Sequence, residues 1–179
     1  MAFSPYPITA KNGQQLQVRY LTPEDGDLLV DFVVRLSPQT RYQRFHVSME
    51  SASMEEIRRR LPPFLDVDQV DSVALLALHD GPKGERVVAV ARFRRLPGAA
   101  EAENAVVVRD DWHRQGVGSA LMEQLILAAR ARGVVRFTAM IQAGNRAVHQ
   151  MLKAVNIRYT SHIEHGEDYI VMYLEEAVL

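Results

Sequence analysis

The chain has 179 residues, of which 47% are hydrophobic and 24% charged, and its formal net charge is -1. This length and composition predict one globular domain over residues 1–179, and the charge provides no field that would attract nucleic acid or an anionic membrane. The absence of cysteine excludes disulfides, a thiolate nucleophile and a thiolate metal site. Because no apolar run is long enough to span a membrane and no leader pattern opens the chain, we expect a cytoplasmic protein.

The first third of the chain predicts one strand followed by about three helices. Side chains alternate in polarity over residues 13–21, as in a half-buried strand. Three helical patterns follow, at residues 22–36, 37–45 and 53–61. The first two begin with Ser or Thr followed by Pro, and the third begins with a capping box.

Valine-rich runs at residues 72–80, 85–96 and 103–110 predict an antiparallel meander, with a hairpin turn at the sequence GPKG. The remaining elements are a helix over 116–133, a strand over 134–141, a helix over 145–155 capped by Asn145, and a hairpin of strands at 157–165 and 168–176. Together they predict an α/β chain of the α+β type, with a single mixed, mostly antiparallel sheet of about six or seven strands flanked by helices.

The segment DDWHRQGVGSAL, residues 110–121, places two glycines at the start of a helix. Ser119 follows Gly118 where a P-loop would need lysine, and Leu121 stands where a dinucleotide fingerprint would need a third small residue. Both of those phosphate-binding motifs are therefore excluded. The free amide groups of the helix start can still hold a phosphate group, and the spacing leaves open the alternative of a simple strand-to-helix turn.

Residues 106–133 resemble the acetyl-coenzyme A binding segment of the GCN5-related N-acetyltransferase (GNAT) family. The pattern of that family is Gln or Arg, two residues, Gly, one residue, then Gly or Ala, opening a long helix after a strand. Gly116 and Gly118 match the two small positions, whereas His113 departs from the first position. Asn145, at the start of the next helix, matches a second segment of the family.

The resemblance implies acetyl-coenzyme A as cosubstrate and no metal. Its pantetheine arm would lie along the backbone of the strand before the glycine turn, and its pyrophosphate would lie at the turn itself. The implied binding residues are Val106, Val107, Val108, His113, Arg114, Gln115, Gly116, Val117, Gly118, Ser119 and Asn145. The acid- and histidine-rich segment 161–168 does not predict a metal site, since strand alternation spreads its side chains over both faces.

Within the family, residues 19–46 and 106–121 are similar to bacterial protein-lysine acetyltransferases of the Pat type. This similarity implies transfer of an acetyl group to a primary amine by direct attack in a ternary complex, with a protein lysine as the preferred acceptor. A small-molecule amine is the alternative acceptor, and a non-catalytic acyl-coenzyme A binding module is the alternative function. The sequence is also compatible with a homodimer.

Glu103 is the predicted general base. It precedes Val108 by five residues, or roughly 16 to 17 Å of strand, which is about the reach of an extended pantetheine arm. A carboxylate there could take the proton of a substrate ammonium, and Pat-type enzymes have a catalytic glutamate at this position. Glu101 is the alternative, and a backbone amide around Val107 is predicted to stabilise the carbonyl oxygen.

Leu152 stands where the family frequently has a tyrosine that protonates the departing thiolate, and Asn156 and Ile157 replace a glycine and an aromatic residue. Leucine has no proton to donate. The thiolate would then leave without a dedicated acid, or Tyr159 or Tyr173 would supply the proton.

Arginines cluster in the segments EEIRRRL (55–61) and RFRRL (92–96). Solvated faces are the usual explanation of such clusters. The alternative is docking of an acidic protein substrate.

Overall fold

A computed structural model of the chain describes residues 4–45, 53–82 and 84–174. Within these ranges the strands are β1 (Ile8–Thr9), β2 (Gln15–Tyr20), β3 (Ser72–Gly81), β4 (Gly84–Arg94), β5 (Glu101–Val108), β6 (Arg136–Gln142), β7 (Arg158–Glu164) and β8 (Glu167–Tyr173). The helices are α1 (Gly26–Val34), α2 (Pro38–Phe45), α3 (Met54–Arg60), α4 (Pro62–Leu65), α5 (Val117–Arg130) and α6 (Arg146–Val155). Residues 175 and 176 of the last predicted strand, and His46 of the Pat-like segment, lie outside the described residues.

The described strands form one sheet in the order β1-β2-β3-β4-β5-β6-β8-β7. Neighbours are antiparallel except β5 and β6, which are parallel. The predicted fold class, a mixed and mostly antiparallel sheet flanked by helices, is confirmed. The strand beyond the predicted seven is β1, whose two residues are too few to produce a pattern of alternation.

The predicted antiparallel meander is confirmed as β3, β4 and β5, with Gly81 paired to Gly84 at the hairpin. The three predicted early helices are also present, with two additions. A short 3-10 turn, Pro23–Asp25, opens the first of them, and α4 follows α3 directly. Helix α3 stops at Arg60 because Pro62 and Pro63 have no amide hydrogen to continue its ladder.

Helices cover the two faces of the sheet unequally. Helices α5 and α6 pack on one face, which we call the α5 face, where Leu121, Leu125 and Leu152 are completely buried. Helices α1 and α3 pack on the other, the α1 face, through Phe32 and Ile57. Strand β3 is buried from both sides over its first seven residues, which explains its continuous apolar run.

Helix α6 begins directly after Asn145, which occupies the predicted cap position, although its side chain makes no cap hydrogen bond. At its other end, Asn156 has a φ of 54°. Asparagine enters this left-handed region more readily than other side chains, so Asn156 can fill a position where the family usually has glycine.

None of the described helices is both long enough and apolar enough to cross a membrane.

Candidate functional site

Strand β5 separates from β6 along most of its length. It stays paired with β4 from Glu103 to Val108, but its pairing with β6 covers only Glu101 to Glu103. From Asn104 to Val108 the edge of β5 that faces β6 therefore has no partner strand among the described residues. An extended ligand with amide groups can bond to such an edge as an added strand would. The predicted binding residues Val106, Val107 and Val108 all lie on it.

The glycine turn connects the end of β5 to α5 through two left-handed residues, Arg114 with a φ of 60° and Gly116 with a φ of 78°. Such turns gather successive backbone amides into a concave anion site, and the first amides of α5 add to it because they have no helical acceptor. Nε2 of His113 lies 2.8 Å from the carbonyl oxygen of Val108, which accepts a hydrogen bond from the ring. His113, although it departs from the family pattern, therefore fastens the turn to β5.

Gly118 lies where α5 packs closely against β5 and α6. A Cβ atom at this position would lie 3.3 Å from Cγ2 of Val108 and 3.6 Å from Sδ of Met151. The sequence assigned this glycine to close approach of a phosphate, and the structure adds that the residue also brings α5 against β5 and α6. A larger side chain would push these three elements apart.

Lys11 contributes a cation to the turn that sequence reasoning missed. Its backbone amide donates to the carbonyl oxygen of Gln115 at 2.9 Å, and its side chain runs past Gly116, with Cε 3.7 Å from where a Cβ atom would lie. In the described parts of the chain its ammonium forms no ion pair. No pattern in the sequence links a residue before β2 to the glycine turn, because only the sheet brings the two together.

Asp110 ties α2 to the entrance of the glycine turn. Its carboxylate accepts hydrogen bonds from the amide of Ser37 at 2.8 Å, from the hydroxyl of Ser37 at 2.6 Å and from the hydroxyl of Thr40 at 2.8 Å. Partial burial opposes ionisation, but these hydrogen bonds outweigh it, and the pKa of Asp110 lies below its ordinary value. The segment before the turn is thus held in place by the start of α2.

The two candidate bases differ in their surroundings. Glu101 forms an ion pair with Arg136, at 3.2 Å, and both side chains are about half exposed. Glu103 is exposed and has no hydrogen bond or ion pair to any other described residue. It lies at the vertex where β5 leaves β6, opposite Thr138. Of the two carboxylates, Glu103 is thus the one left available to an incoming substrate.

Asn104 is a buried polar residue at the start of the unpaired edge. Its side chain is on the α5 face, where Nδ2 lies 3.7 Å from Sδ of Met122, and Oδ1 is buried without a partner among the described residues. The residue is only 7% exposed. A buried amide oxygen that lacks a donor is costly, so this atom fits a site completed by an N–H group of a ligand.

Leu152 is fully buried in the core beneath α6. Tyr159 lies on the α5 face with its hydroxyl 3.2 Å from Nδ1 of His149, and Nε2 of His149 lies 2.9 Å from the buried carboxylate of Asp168. Tyr173, by strand alternation, shares the α1 face with Glu103, and the Arg158 guanidinium lies 4.2 Å from the centre of its ring.

The polar hairpin 161–168 brings two histidines close to one glutamate. His162 and His165 approach Glu164 at 3.8 and 3.6 Å, and all three side chains are well exposed. Within the residues that the structure describes, no group of three or more histidine and acidic side chains could hold a metal ion.

These features together fit acetyl-coenzyme A. An unpaired strand edge suits the two amides of the pantetheine arm, and the buried oxygen of Asn104 offers an acceptor beside it. The glycine turn, the start of α5 and the Lys11 ammonium supply positive potential for phosphates at the far end of that edge. Asn145, the remaining predicted binding residue, stands at the N-terminal end of α6, just beyond β6.

Comparison with known proteins points to the same family as the glycine turn. A family model described as acetyltransferase (GNAT) matches residues 39–156. An acetyltransferase of Pseudomonas aeruginosa is 31% identical over 144 residues, which cover 80% of this chain and 75% of that protein. The acetyltransferase Pat of Mycolicibacterium smegmatis is 32% identical over 151 residues, which cover 83% of this chain and 43% of that protein.

Solved structures give the same result for the fold. The GNAT domain of PAT from S. lividans superimposes with a TM-score of 0.78 at 27% identity, covering 93% of this chain and 95% of that domain. A cAMP-binding acyltransferase from Mycobacterium smegmatis gives a TM-score of 0.63 at 25% identity, covering 97% of this chain and 48% of that one. The chain thus spans about half the length of the two mycobacterial relatives.

Proposed function

The chain belongs to the GNAT family of acetyltransferases, and we propose that it transfers the acetyl group of acetyl-coenzyme A to a lysine side chain of a protein, by direct attack in a ternary complex. The observation that carries this proposal is the separation of β5 from β6 immediately after Glu103. It offers a free strand edge for the donor and a free carboxylate at the point where that edge begins.

Acetyl-coenzyme A is bound in this proposal by backbone groups more than by side chains. The edge of β5 from Asn104 to Val108 would hold the pantetheine arm, and residues 113–119 would hold the pyrophosphate, with Lys11 as an added cation. Asn145 is proposed to bind the same molecule from the start of α6. When bound, acetyl-coenzyme A supplies a thioester carbon that an amine can attack.

The chemical role falls to Glu103. A lysine side chain is an ammonium at neutral pH, so its nitrogen can attack only after losing a proton. The Glu103 carboxylate takes that proton, directly or through one water. The neutral nitrogen then forms a C–N bond to the acetyl carbon, the C–S bond breaks, and the electron pair of that bond leaves with sulfur.

The departing thiolate needs no dedicated acid in this proposal. An alkyl thiol such as that of cysteine has a pKa of about 8.5, so its anion is a reasonable leaving group near neutral pH. The burial of Leu152 and the contact of the Tyr159 hydroxyl with His149 support this assignment. After the attack the nitrogen carries a positive charge and releases its second proton to water, and a proton from water reaches the thiolate. Glu103 then gives its own proton to solvent, which restores the carboxylate.

The decisive experiment follows free thiol during incubation of the full chain with acetyl-coenzyme A and a panel of lysine-bearing proteins, with mass spectrometry of the proteins afterwards. We expect thiol release to depend on the acceptor and one acetyl group to appear on lysine for each thiol released. If thiol is released only when small amines are added, the acceptor is a small-molecule amine and not a protein lysine. Thiol release in the absence of any amine would overturn the proposal. The cytoplasmic location and the homodimer stay predictions.

A further inference from the structure

A cavity of about 240 Å³ lies on the α1 face, between helices α1, α3 and α4 and strands β3, β4 and β5. Its walls are apolar except for two arginines, Arg60 and Arg92. These belong to the two arginine-rich segments of the sequence, EEIRRRL and RFRRL, which the fold brings to one place. The acetyl-transfer chemistry described above uses neither of them.

The cavity and Glu103 lie on the same side of β5. Ala105 and Val107 line the cavity, and since alternate residues of a strand share a face, Glu103 points to that face as well. Ala105 is two residues from Glu103, or roughly 7 Å along the strand. An acceptor whose nitrogen reaches the Glu103 carboxylate can therefore place a neighbouring group in the cavity.

The volume selects the kind of group that fits. Pockets for complete small-molecule ligands usually measure roughly 300–1,000 Å³, and this cavity is smaller. It can hold one or two apolar side chains. The size and the apolar lining, with Leu29, Phe32 and Ile57 among the wall residues, therefore suit a large aliphatic or aromatic side chain next to the acceptor lysine.

Arg60 adds a charge preference at the rim of the cavity. Arg60 is exposed at the end of α3, and the Arg92 guanidinium lies 5.2 Å from the centre of the Phe64 ring. Glu56, one turn before Arg60, is already engaged through its carboxylate with the amide of Ser53. Guanidinium groups bind carboxylates in a planar, two-point geometry, so this side of the cavity is complementary to an acidic side chain.

We propose that the cavity and Arg60 recognise the residues around the acceptor lysine, with a large apolar side chain in the cavity and an acidic side chain at Arg60. The inference rests on the proposed function and narrows its substrate class to lysines in acidic, partly apolar segments. It assigns recognition to residues that take no part in the transfer of the acetyl group.

The test uses synthetic peptides that contain one lysine each and differ only at two neighbouring positions. The reference peptide has leucine and glutamate there, and the variants replace glutamate with glutamine or lysine, or leucine with serine. We expect the KM for the peptide to rise about two- to five-fold with glutamine, and further with lysine, while kcat changes little. The serine variant should also raise KM. Equal kinetics for all four peptides would overturn the inference.

A pair of variants assigns the effect to the cavity. In R60Q the difference between the glutamate and glutamine peptides should shrink or vanish. R59Q is the matched control, because Arg59 lies on the same helix, carries the same charge and does not line the cavity. If R59Q removes the preference as R60Q does, a diffuse positive field selects the acceptor and the cavity does not. Absence of turnover with every lysine peptide would instead contradict the proposed function itself, so the two failures are distinguishable.

Discussion

The carboxylate of Glu101 lies 3.2 Å from Nε of Arg136, across the short parallel pairing of β5 with β6. The next carboxylate on the same face, Glu103, has no such partner among the described residues. The ion pair thus distinguishes two acidic residues that the sequence leaves equivalent, and it leaves Glu103 as the group that an incoming ammonium can approach.

Replacement of Glu103 by glutamine keeps the shape of the side chain and removes the base. We expect kcat to fall by about a hundred-fold or more, since general base catalysis typically contributes about 10²–10⁴-fold. The dissociation constant of acetyl-coenzyme A, measured by calorimetry, should stay unchanged. E101Q is the matched control and should keep most of its kcat; the reverse ranking of the two variants would move the base to Glu101.

A Cβ atom at position 118 would lie in a tight contact with Val108, at 3.3 Å from Cγ2, and in ordinary contact with Met151. G118L should weaken binding of acetyl-coenzyme A by about ten-fold or more, because overpacking a close contact costs about 1–3 kcal/mol and moves the start of α5 away from β5. G118A, with one added carbon, should give a smaller loss. Calorimetry measures both, and circular dichroism checks that the variants are folded. Unchanged affinity in a folded G118L would show that the turn does not hold the cosubstrate.

The side chain of Lys11 runs past the glycine turn, and we expect its ammonium to bind a phosphate group. K11M keeps most of the alkyl chain and should weaken acetyl-coenzyme A binding by about two- to five-fold, the range for an exposed charge. The loss should shrink as salt concentration rises, because ions screen the interaction.

K153M removes one exposed lysine from the last turn of α6 and serves as the control. Dephospho-coenzyme A, which lacks the 3′-phosphate, shows which phosphate Lys11 binds. If K11M lowers the affinity for dephospho-coenzyme A by the same factor as the affinity for coenzyme A, the ammonium binds the pyrophosphate and not the 3′-phosphate. Equal affinities of K11M and the unmodified protein for both ligands would contradict the assignment.

Replacement of Asn104 by leucine should raise the stability of the protein and lower its affinity for acetyl-coenzyme A. N104L replaces a buried amide that has an unpaired oxygen by an apolar group of similar size, so the ligand-free protein should gain about 1–2 kcal/mol of unfolding free energy. Affinity for acetyl-coenzyme A should fall, since the ligand loses an acceptor. Thermal unfolding with and without the ligand measures both effects. A variant that is less stable and binds equally well would give Asn104 a purely structural role.

Asp110 should make stability depend on pH. Its pKa is lowered in the folded chain, so it contributes stability that is present above its unfolded pKa of about 3.9 and is lost as pH falls through the lower folded value. At pH 7, D110N should cost about 1–3 kcal/mol, seen as a lower Tm. The difference in Tm between D110N and the unmodified protein should shrink below about pH 4.

The control for this titration is D80N, because Asp80 is an exposed carboxylate with no hydrogen bond or ion pair to another described residue. Its Tm should follow that of the unmodified protein at every pH. A Tm difference for D110N that stays constant from pH 7 to pH 3 would mean that ionisation of Asp110 does not contribute.

Local patterns were sufficient to predict most elements of the fold. The helix after Gly116, the three valine-rich strands and the closing hairpin come from periodicity and turn residues that act over a few positions. Strand β1 and helix α4 were missed because two and four residues carry no period. Asn145 occupies the predicted cap position of α6, but its side chain makes no cap hydrogen bond, because a residue type preferred at helix starts still needs the correct side-chain geometry to accept one.

The sequence by itself determined the order of strands and helices, the glycine turn and the family, since each depends on residue types at short, fixed spacings. Only the tertiary structure decided which carboxylate is free, that Gly118 lies close to Val108, that Lys11 reaches the turn, and that Arg60 and Arg92 share a cavity. These relations join residues far apart in the chain. Their contacts arise from strand pairing and helix packing, which local spacing does not encode.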